Sequence, residues 1–172
     1  SYGLVELPTG RMKTREGTVV DADDLIAEGI RIAAEQSSER GETEGISEAE
    51  KQENLRKVAM GALKFFIIKV HPKRKMICNP EESVDLQGQT GPYIQYSFVR
   101  INALLQRVER EQIDLSKASE YQQIMPQEKD LLVALHDYPA VVMQAAEAYD
   151  PSLIANFCYA LAKSYHRFWH DL

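Results

Sequence analysis

The sequence has no long hydrophobic stretch. Its 172 residues are 44% hydrophobic, which is typical of a globular protein, but the apolar residues occur in short runs such as Phe65–Ile68. A helix that spans a bilayer needs roughly 18 or more apolar residues in succession, so we predict no membrane span. The first residues, Ser1-Tyr2-Gly3, do not resemble a secretory signal. We therefore expect a cytoplasmic location.

Cysteine is scarce. The two cysteines, Cys78 and Cys158, are too few for a disulfide framework or a metal site built from cysteine alone. His166 and His170 have the i, i+4 spacing of some zinc sites, but no Glu or Cys stands beside them in a ligand pattern. The sequence therefore predicts no metal site.

An excess of basic residues is also lacking. Twenty Lys and Arg stand against 26 Asp and Glu, which gives a net charge of −6 and excludes a nucleic-acid binder that is basic throughout. A local basic surface stays possible, and the densest cluster is Lys69, Lys73, Arg74 and Lys75. One interpretation is a solvated helix end, where cations suit the helix dipole. The other is contact with a nucleic-acid backbone, which does not depend on sequence.

Helix signals dominate what is present. Asp21 is a candidate N-cap for a first helix that runs to about Ser37. Ser47 and Glu50 form the S-x-x-E pattern of a capping box, which opens a second helix that ends near His71. Further helices are expected from 80, at about 93–110, from 126, at 141–149 and at 151–170, with a break at Tyr138-Pro139. Strand-like runs are short, at 4–7, 18–20 and 76–78. The pattern predicts a mainly α protein with a small irregular N-terminal segment.

A loop between Gly10 and Gly17 carries three basic residues and one acid. Mobile backbone with Lys and Arg can gather around phosphate charge, although a solvated surface loop is the alternative. Its order, Gly10-Arg11-Met12-Lys13-Thr14-Arg15-Glu16-Gly17-Thr18-Val19-Val20, resembles the KMSKS-type loop of class I aminoacyl-tRNA synthetases. It is similar to the arginyl form, K-M-S-T-R-K-G-x-V, with Lys13 in place of Ser and Glu16 in place of Lys.

Two later segments resemble the same family. Thr90-Gly91-Pro92-Tyr93-Ile94-Gln95-Tyr96-Ser97-Phe98-Val99-Arg100-Ile101 is similar to the T-G-P-[YF]-x-Q-Y-[AT]-x-A-R-I segment that opens the DALR-type anticodon-binding domain of arginyl-tRNA synthetases. The run from Pro151 to Tyr165 is similar to a late helix of that domain, L-x-x-Y-L-Y-x-L-A-K-x-[FY]. Three segments in the family's order identify the chain as similar to the arginyl-tRNA synthetases.

The resemblance implies an enzyme that uses ATP, with Mg²⁺, to attach arginine to tRNA(Arg) through an arginyl-adenylate. It implies catalytic roles for Arg11, Lys13 and Arg15. The implied ATP-binding residues are Arg11, Met12, Lys13, Thr14 and Arg15. The family's HIGH-type motif is absent from this sequence. We therefore expect the chain to be a C-terminal fragment that cannot make adenylate alone.

The resemblance also implies a fold. Residues 1–46 would be the end of an α/β catalytic domain with its linker, and 47–172 would be an antiparallel helix bundle, the anticodon-binding domain, lacking its last part. A bundle without its last helix exposes apolar surface. This chain is therefore expected to self-associate or to be marginally stable, whereas the full-length protein is expected to be a monomer.

The sequence indicates the tRNA-binding residues less clearly than it indicates the family. Tyr93, Tyr96 and Arg100 share one helix face, where packing and RNA binding are both open, while Gln95 lies off that face and is expected to be freer to meet RNA. The implied tRNA-binding residues are Tyr93, Gln95, Tyr96, Arg100, Lys73, Arg74 and Lys75. The alternatives are a stand-alone helical tRNA-binding module and a helical interaction protein. Neither alternative explains the loop between Gly10 and Gly17.

Overall fold

The computed structural model describes residues 3–6, 21–40, 45–116 and 123–171. The elements in chain order are β1 (Val5–Glu6), α1 (Ala22–Arg40), α2 (Glu48–Ile68), β2 (Met76–Ile77), α3 (Pro80–Val84), α4 (Gly91–Arg110), α5 (Pro126–Ala148) and α6 (Ser152–Asp171). The prediction of a mainly α protein is confirmed. The loop at 10–17 and the strand-like run at 18–20 lie outside the described residues.

Local capping fixes where several helices begin. At α2, the Ser47 hydroxyl accepts a hydrogen bond from the Glu50 amide at 3.3 Å, and the Glu50 carboxylate accepts one from the Ser47 amide at 3.0 Å. This confirms the predicted capping box. At α4, the Thr90 hydroxyl accepts from the Tyr93 amide at 3.3 Å. Each cap satisfies an amide that has no partner within its helix.

The buried core lies where α1, α2 and α3 meet. It consists of small and branched side chains from the three helices: Ile32, Ala33, Leu55, Ala62 and Val84. Their burial removes apolar surface from water at roughly 25 cal/mol per Å². Ile67, near the end of α2, is exposed.

Two glycines let α2 and α4 approach closely. A Cβ atom at Gly91 would overlap the Gly61 carbonyl oxygen, and one at Gly61 would overlap the Gln95 side chain. The backbones therefore touch at a point where any larger residue would push them apart. This contact sets the position of the first turn of α4.

Helices α5 and α6 form a hairpin that joins the rest of the molecule through α6. Among the described elements α5 packs closely against α6 alone, whereas α6 also contacts α4 and α2. The predicted break at Tyr138-Pro139 is wrong, because α5 continues through Pro139. The Tyr138 ring packs on Phe157 of α6, with centroids 5.2 Å apart, and Ala145 is buried about two turns further on. Contacts on both sides of the proline hold the helix together despite the lost hydrogen bond.

The N-terminal segment is tied to the bundle by a two-stranded parallel pairing. Val5 pairs with Met76 and Glu6 pairs with Ile77. The buried Glu6 carboxylate lies 2.5 Å from the Lys75 ammonium. Both strand-like runs at 4–7 and 76–78 thus contain a short strand, with Leu7 outside the described residues.

Several large apolar side chains are exposed on the helices. Phe98 is 65% exposed and Leu105 is 51% exposed on α4, and α5 exposes Leu132, Leu135 and Met143. This agrees with the expectation of uncovered apolar surface. Within the described residues, no helix combines the length and apolar character that crossing a bilayer requires.

Candidate nucleic-acid interface

A cluster of aromatic rings surrounds one arginine between α4 and α6. We call Tyr93, Tyr96, Arg100, His166 and Trp169 the α4–α6 cluster. The first three lie on α4 at i, i+3 and i+7, and the other two lie on α6 at i and i+3, so each helix presents one face. Packing of α4 against α6 brings the two faces together.

Arg100 lies at the centre of the cluster. Its guanidinium carbon is 4.9 Å from the Trp169 ring centroid and 5.6 Å from the Tyr96 ring centroid. Both distances are within the range of a cation–π contact. Its Nη1 atom is 3.1 Å from His166 Nδ1. The guanidinium is thereby oriented by two rings and one hydrogen bond.

His166 contacts the α4 side of the cluster at several points. The ring packs edge-on against Tyr93 with centroids 4.8 Å apart, and it stacks on Tyr96 at 5.5 Å. Its Nε2 atom is 2.7 Å from the Ser97 hydroxyl. Burial, followed by the charge of Arg100, lowers the pKa of His166. The ring is therefore neutral near pH 7.

Exposure differs among the cluster members. The Tyr96 side chain is 46% exposed and Trp169 is 37% exposed, whereas Tyr93 and Arg100 are half-buried. Burial, with Tyr159 nearby, raises the pKa of Tyr93, so its hydroxyl stays protonated at neutral pH. Exposed ring faces beside a guanidinium can stack unpaired bases and contact phosphate or base edges.

The sequence placed Tyr93, Tyr96 and Arg100 on one face, and the structure brings all three against α6. The sequence analysis did not find Ser97, His166 or Trp169. Sequence reasoning considered His166 only as a metal ligand or surface residue. The available signal was the spacing of Tyr159, His166 and Trp169 along one face of α6, but only the packing of α6 on α4 shows what that face meets.

Gln95 is turned away from the cluster. Its amide nitrogen donates to the Lys57 carbonyl oxygen of α2 at 3.0 Å, and its Oε1 atom is buried with no hydrogen-bond partner. Its side chain thus lies between α2 and α4, which differs from the expected outward orientation. Gly61 is the physical reason, because it has no side chain and so leaves the space that Gln95 occupies.

The basic residues after α2 do not form one uniform patch. Lys73 and Arg74 are exposed, but Lys75 pairs with Glu6. Lys69 donates to the Gln89 carbonyl oxygen at 3.0 Å and lies 5.0 Å from the Phe66 ring centroid. Burial lowers the pKa of Lys69. Of the four basic side chains, those of Lys73 and Arg74 are therefore accessible to a ligand.

The basic segment and the α4–α6 cluster lie at different ends of α6. The Asn156 amide donates to the Lys69 carbonyl oxygen at 3.0 Å, whereas His166 is ten residues further along. At a rise of 1.5 Å per residue, the contact of Asn156 with the basic segment and the position of His166 are about 15 Å apart along α6. The predicted ATP-binding residues, Arg11, Met12, Lys13, Thr14 and Arg15, lie outside the described residues.

Comparison with known proteins identifies the class of this fold. Residues 94–172 match the model of the DALR anticodon binding domain family. This match begins in α4 and includes every member of the α4–α6 cluster except Tyr93. The part of the chain that contains α5, α6 and most of α4 is therefore similar to a DALR-type anticodon-binding domain, while α1, α2 and α3 precede the matched residues.

The whole chain has more specific relatives. It is 46% identical over 172 residues to the arginine–tRNA ligases of Porphyromonas gingivalis and Bacteroides fragilis, covering 99% of this chain and 29% of each relative. Among solved structures, the Thermus thermophilus arginyl-tRNA synthetase matches with a TM-score of 0.75 at 29% identity, over 96% of this chain and 26% of that one. The Plasmodium falciparum enzyme shares the fold, with a TM-score of 0.78 at 19% identity, over 99% of this chain and 28% of that one. Over nearly its whole length the chain is therefore similar to arginyl-tRNA synthetases, and it spans under a third of their length.

Proposed function

We propose that this chain is the tRNA-binding part of an arginine–tRNA ligase, which attaches arginine to tRNA(Arg) with ATP and Mg²⁺. The α4–α6 cluster within an anticodon-binding fold is the observation that carries the proposal. Two exposed aromatic rings beside a guanidinium suit unpaired anticodon-loop bases, which proteins bind by stacking and by edge contacts. The expected cytoplasmic location stays a prediction.

The binding roles within the described residues divide by geometry. Tyr96 and Trp169 offer exposed ring faces for stacking, and Arg100 offers donors between them. Tyr93 supports the cluster from its half-buried position, and Gln95 lies behind it. Lys73 and Arg74 are free to contact the tRNA backbone, while Lys75 would first have to leave Glu6.

The predicted ATP-binding loop has a different role in this proposal. Arg11, Lys13 and Arg15 would stabilise the negative charge on the ATP phosphates when pyrophosphate leaves. Glu16 would weaken that field. The chain spans only 29% of its relatives and carries no HIGH-type motif, so we expect no adenylate formation by the chain alone. ATP–pyrophosphate exchange at a rate above background would contradict this expectation.

A salt-dependent binding titration tests the proposal. The chain is titrated with tRNA(Arg) and with the same tRNA carrying an altered anticodon. We expect preference for the cognate anticodon and weaker binding as salt rises, because phosphate contacts release counterions. Equal affinity for both would leave only a backbone-binding role, and no binding would contradict the proposal.

A matched pair of tyrosine variants locates the surface. Tyr96→Ala removes a stacking ring and should weaken cognate binding by about 1–3 kcal/mol. Tyr149→Asn is the control, because Tyr149 is exposed at the α5–α6 turn with φ of 50°, a conformation that Asn tolerates. Equal effects of the two changes would place the tRNA elsewhere.

A further inference from the structure

One histidine orders the rest of the α4–α6 cluster. His166 touches Tyr96 and Arg100, which we propose to meet tRNA, as well as Tyr93 and Ser97. It is half-buried between α4 and α6. The ring is thus placed behind the proposed binding surface and in contact with most of its parts.

The hydrogen bonds around His166 have one possible direction. A guanidinium can only donate, so Arg100 Nη1 donates to Nδ1, which must carry a lone pair. The proton of the neutral ring is therefore on Nε2, which donates to the Ser97 hydroxyl at 2.7 Å. The Ser97 hydroxyl in turn donates to the Tyr93 carbonyl oxygen at 3.2 Å. The chain of bonds requires one tautomer of a neutral histidine.

We propose that His166 is a positioning residue for tRNA binding: the neutral ring, with its proton on Nε2, holds Arg100 between Tyr96 and Trp169 in the orientation that meets an unpaired base. This inference rests on the proposed function of the cluster. His166 need not touch the RNA. Its effect is to fix the guanidinium and the Tyr96 ring before binding, which lowers the ordering cost of association.

Protonation should dismantle this arrangement. Tyr93, Tyr96 and Arg100 face the ring from α4, Tyr165 and Trp169 lie beside it on α6, and the Arg167–Asp130 ion pair links α6 to α5. A protonated ring has no lone pair for Arg100 and places a second positive charge 3.1 Å from its Nη1 atom. Arg100 must then move, and its contacts with the two rings are lost.

The direction in which tRNA affinity changes with pH distinguishes a positioning role of His166 from a general electrostatic effect. Acidification adds positive charge to the protein, which by itself strengthens binding to a polyanion. If His166 positions Arg100, cognate binding instead weakens as the pH falls from 7.5 to below the pKa of His166. We expect a loss of about tenfold, since a hydrogen bond to a charged group is removed.

The experiment compares three variants with the unmodified chain. His166→Phe keeps an aromatic ring for the tyrosines but removes the acceptor for Arg100 and cannot titrate. His166→Gln can still donate towards Ser97. His136→Gln is the control, because His136 is an exposed histidine on α5. Far-UV circular dichroism at each pH confirms that all the proteins remain folded.

Binding of tRNA(Arg) is measured for each protein across this pH range. We expect the unmodified chain and His136→Gln to weaken on acidification, and His166→Phe and His166→Gln to bind about tenfold more weakly at pH 7.5. We expect a flat or rising profile for His166→Phe. If both His166 variants keep the normal affinity and pH profile while the unmodified chain binds tRNA, the positioning role is wrong and the proposed function stands. If the unmodified chain does not bind at all, the proposed function fails, and with it the role in tRNA binding.

A measurement without RNA checks the coupling directly. Trp169 is the sole tryptophan in the sequence, and Arg100 lies over its ring. Nuclear magnetic resonance follows the titration of the His166 ring. The fluorescence emission of Trp169 and the Arg100 Nε–Hε resonance should both change over the same pH range. Neither change should occur in His166→Phe over the same range. Titration of His166 that leaves Arg100 and Trp169 unaffected would overturn the inference.

Discussion

At the scale of single residues, burial next to a fixed positive charge decides the chemistry of His166. The sequence shows a histidine on a helix, and any exposed histidine titrates near pH 6.5. In the structure, the ring is half-buried and has Arg100 beside it, so its pKa falls. The same ring supplies the lone pair that Arg100 needs. One residue thus links the stability of the domain to the state of its candidate binding surface.

The lowered pKa predicts that acid destabilises the fold. The unfolded chain takes up a proton on His166 near pH 6.5, whereas the folded chain does so only at lower pH. The stabilisation is therefore fully present above pH 6.5 and is lost as the pH falls through and below that value. Urea unfolding from pH 7.5 to 5 should show a declining free energy of unfolding, with a shallower decline in His166→Phe. If the free energy of unfolding falls equally with pH in both proteins, the stabilising effect of the lowered His166 pKa is contradicted.

Gly91 carries a second prediction at this scale. Gly91→Ala should destabilise the fold by at least 1–3 kcal/mol, about the cost of overpacking, because the new Cβ would overlap the Gly61 carbonyl oxygen. Gly88→Ala is the control, since its Cβ would meet only ordinary contacts, the nearest at 3.4 Å from Thr90. Urea denaturation measures both variants. Equal stability of the two would mean that the helices separate at little cost.

At the scale of elements, local signals predicted helix starts better than helix interiors. The capping box at Ser47 and the Asn79 cap before Pro80 are both present, because a cap depends on residues within one turn. Pro139 misled the sequence analysis for the opposite reason. Its local cost is real, but contacts of α5 with α6 on both sides of it keep the helix continuous.

The continuity of α5 makes a prediction about that cost. Pro139→Ala should restore the hydrogen bond to the Leu135 carbonyl oxygen and raise the free energy of unfolding by about 1–2 kcal/mol, part of the usual helix penalty being offset by the looser unfolded chain. Gln144→Ala, on the same helix, is the control for helix propensity and should change stability by a few tenths of a kcal/mol, about the difference between good helix formers. Thermal unfolding measures both. A lower melting temperature for Pro139→Ala would show that the proline shapes a bend that the packing needs.

At the scale of the whole molecule, the helices leave apolar faces uncovered. A groove between α2 and α4 is lined by Val58, Met60, Phe98 and Val99, with Lys57 and Lys64 at its rim. Helix α5 exposes Leu132 and Leu135, which lie between Asp130 and Asp137, and Met143 further along the helix. Both surfaces are apolar at the centre, as interfaces are.

We therefore expect the 172-residue chain to self-associate, with α5 of one copy near the α2–α4 groove of another. Sedimentation velocity over a wide concentration range should show a mass that rises with concentration. Phe98→Glu should shift the chain towards monomer, because it places a charge in the apolar groove. Leu115→Glu is the control, since Leu115 is exposed in the segment after α4 and does not line the groove. A monomer at every concentration, or equal effects of the two changes, would contradict this arrangement.

The sequence by itself determined the resemblance to arginyl-tRNA synthetases, the helical class and most helix starts. Ordered motifs such as Thr90–Ile101 and short caps such as Ser47–Glu50 are properties of neighbouring residues, so they can be found without tertiary structure. The tertiary structure alone decided that Gln95 turns towards α2, that Lys75 is engaged by Glu6, and that Ser97, His166 and Trp169 join Tyr96 and Arg100. These outcomes depend on contacts between residues up to 69 positions apart in the chain, as for Ser97 and His166. Such contacts form only when two helix faces meet, and no local pattern specifies which faces those are.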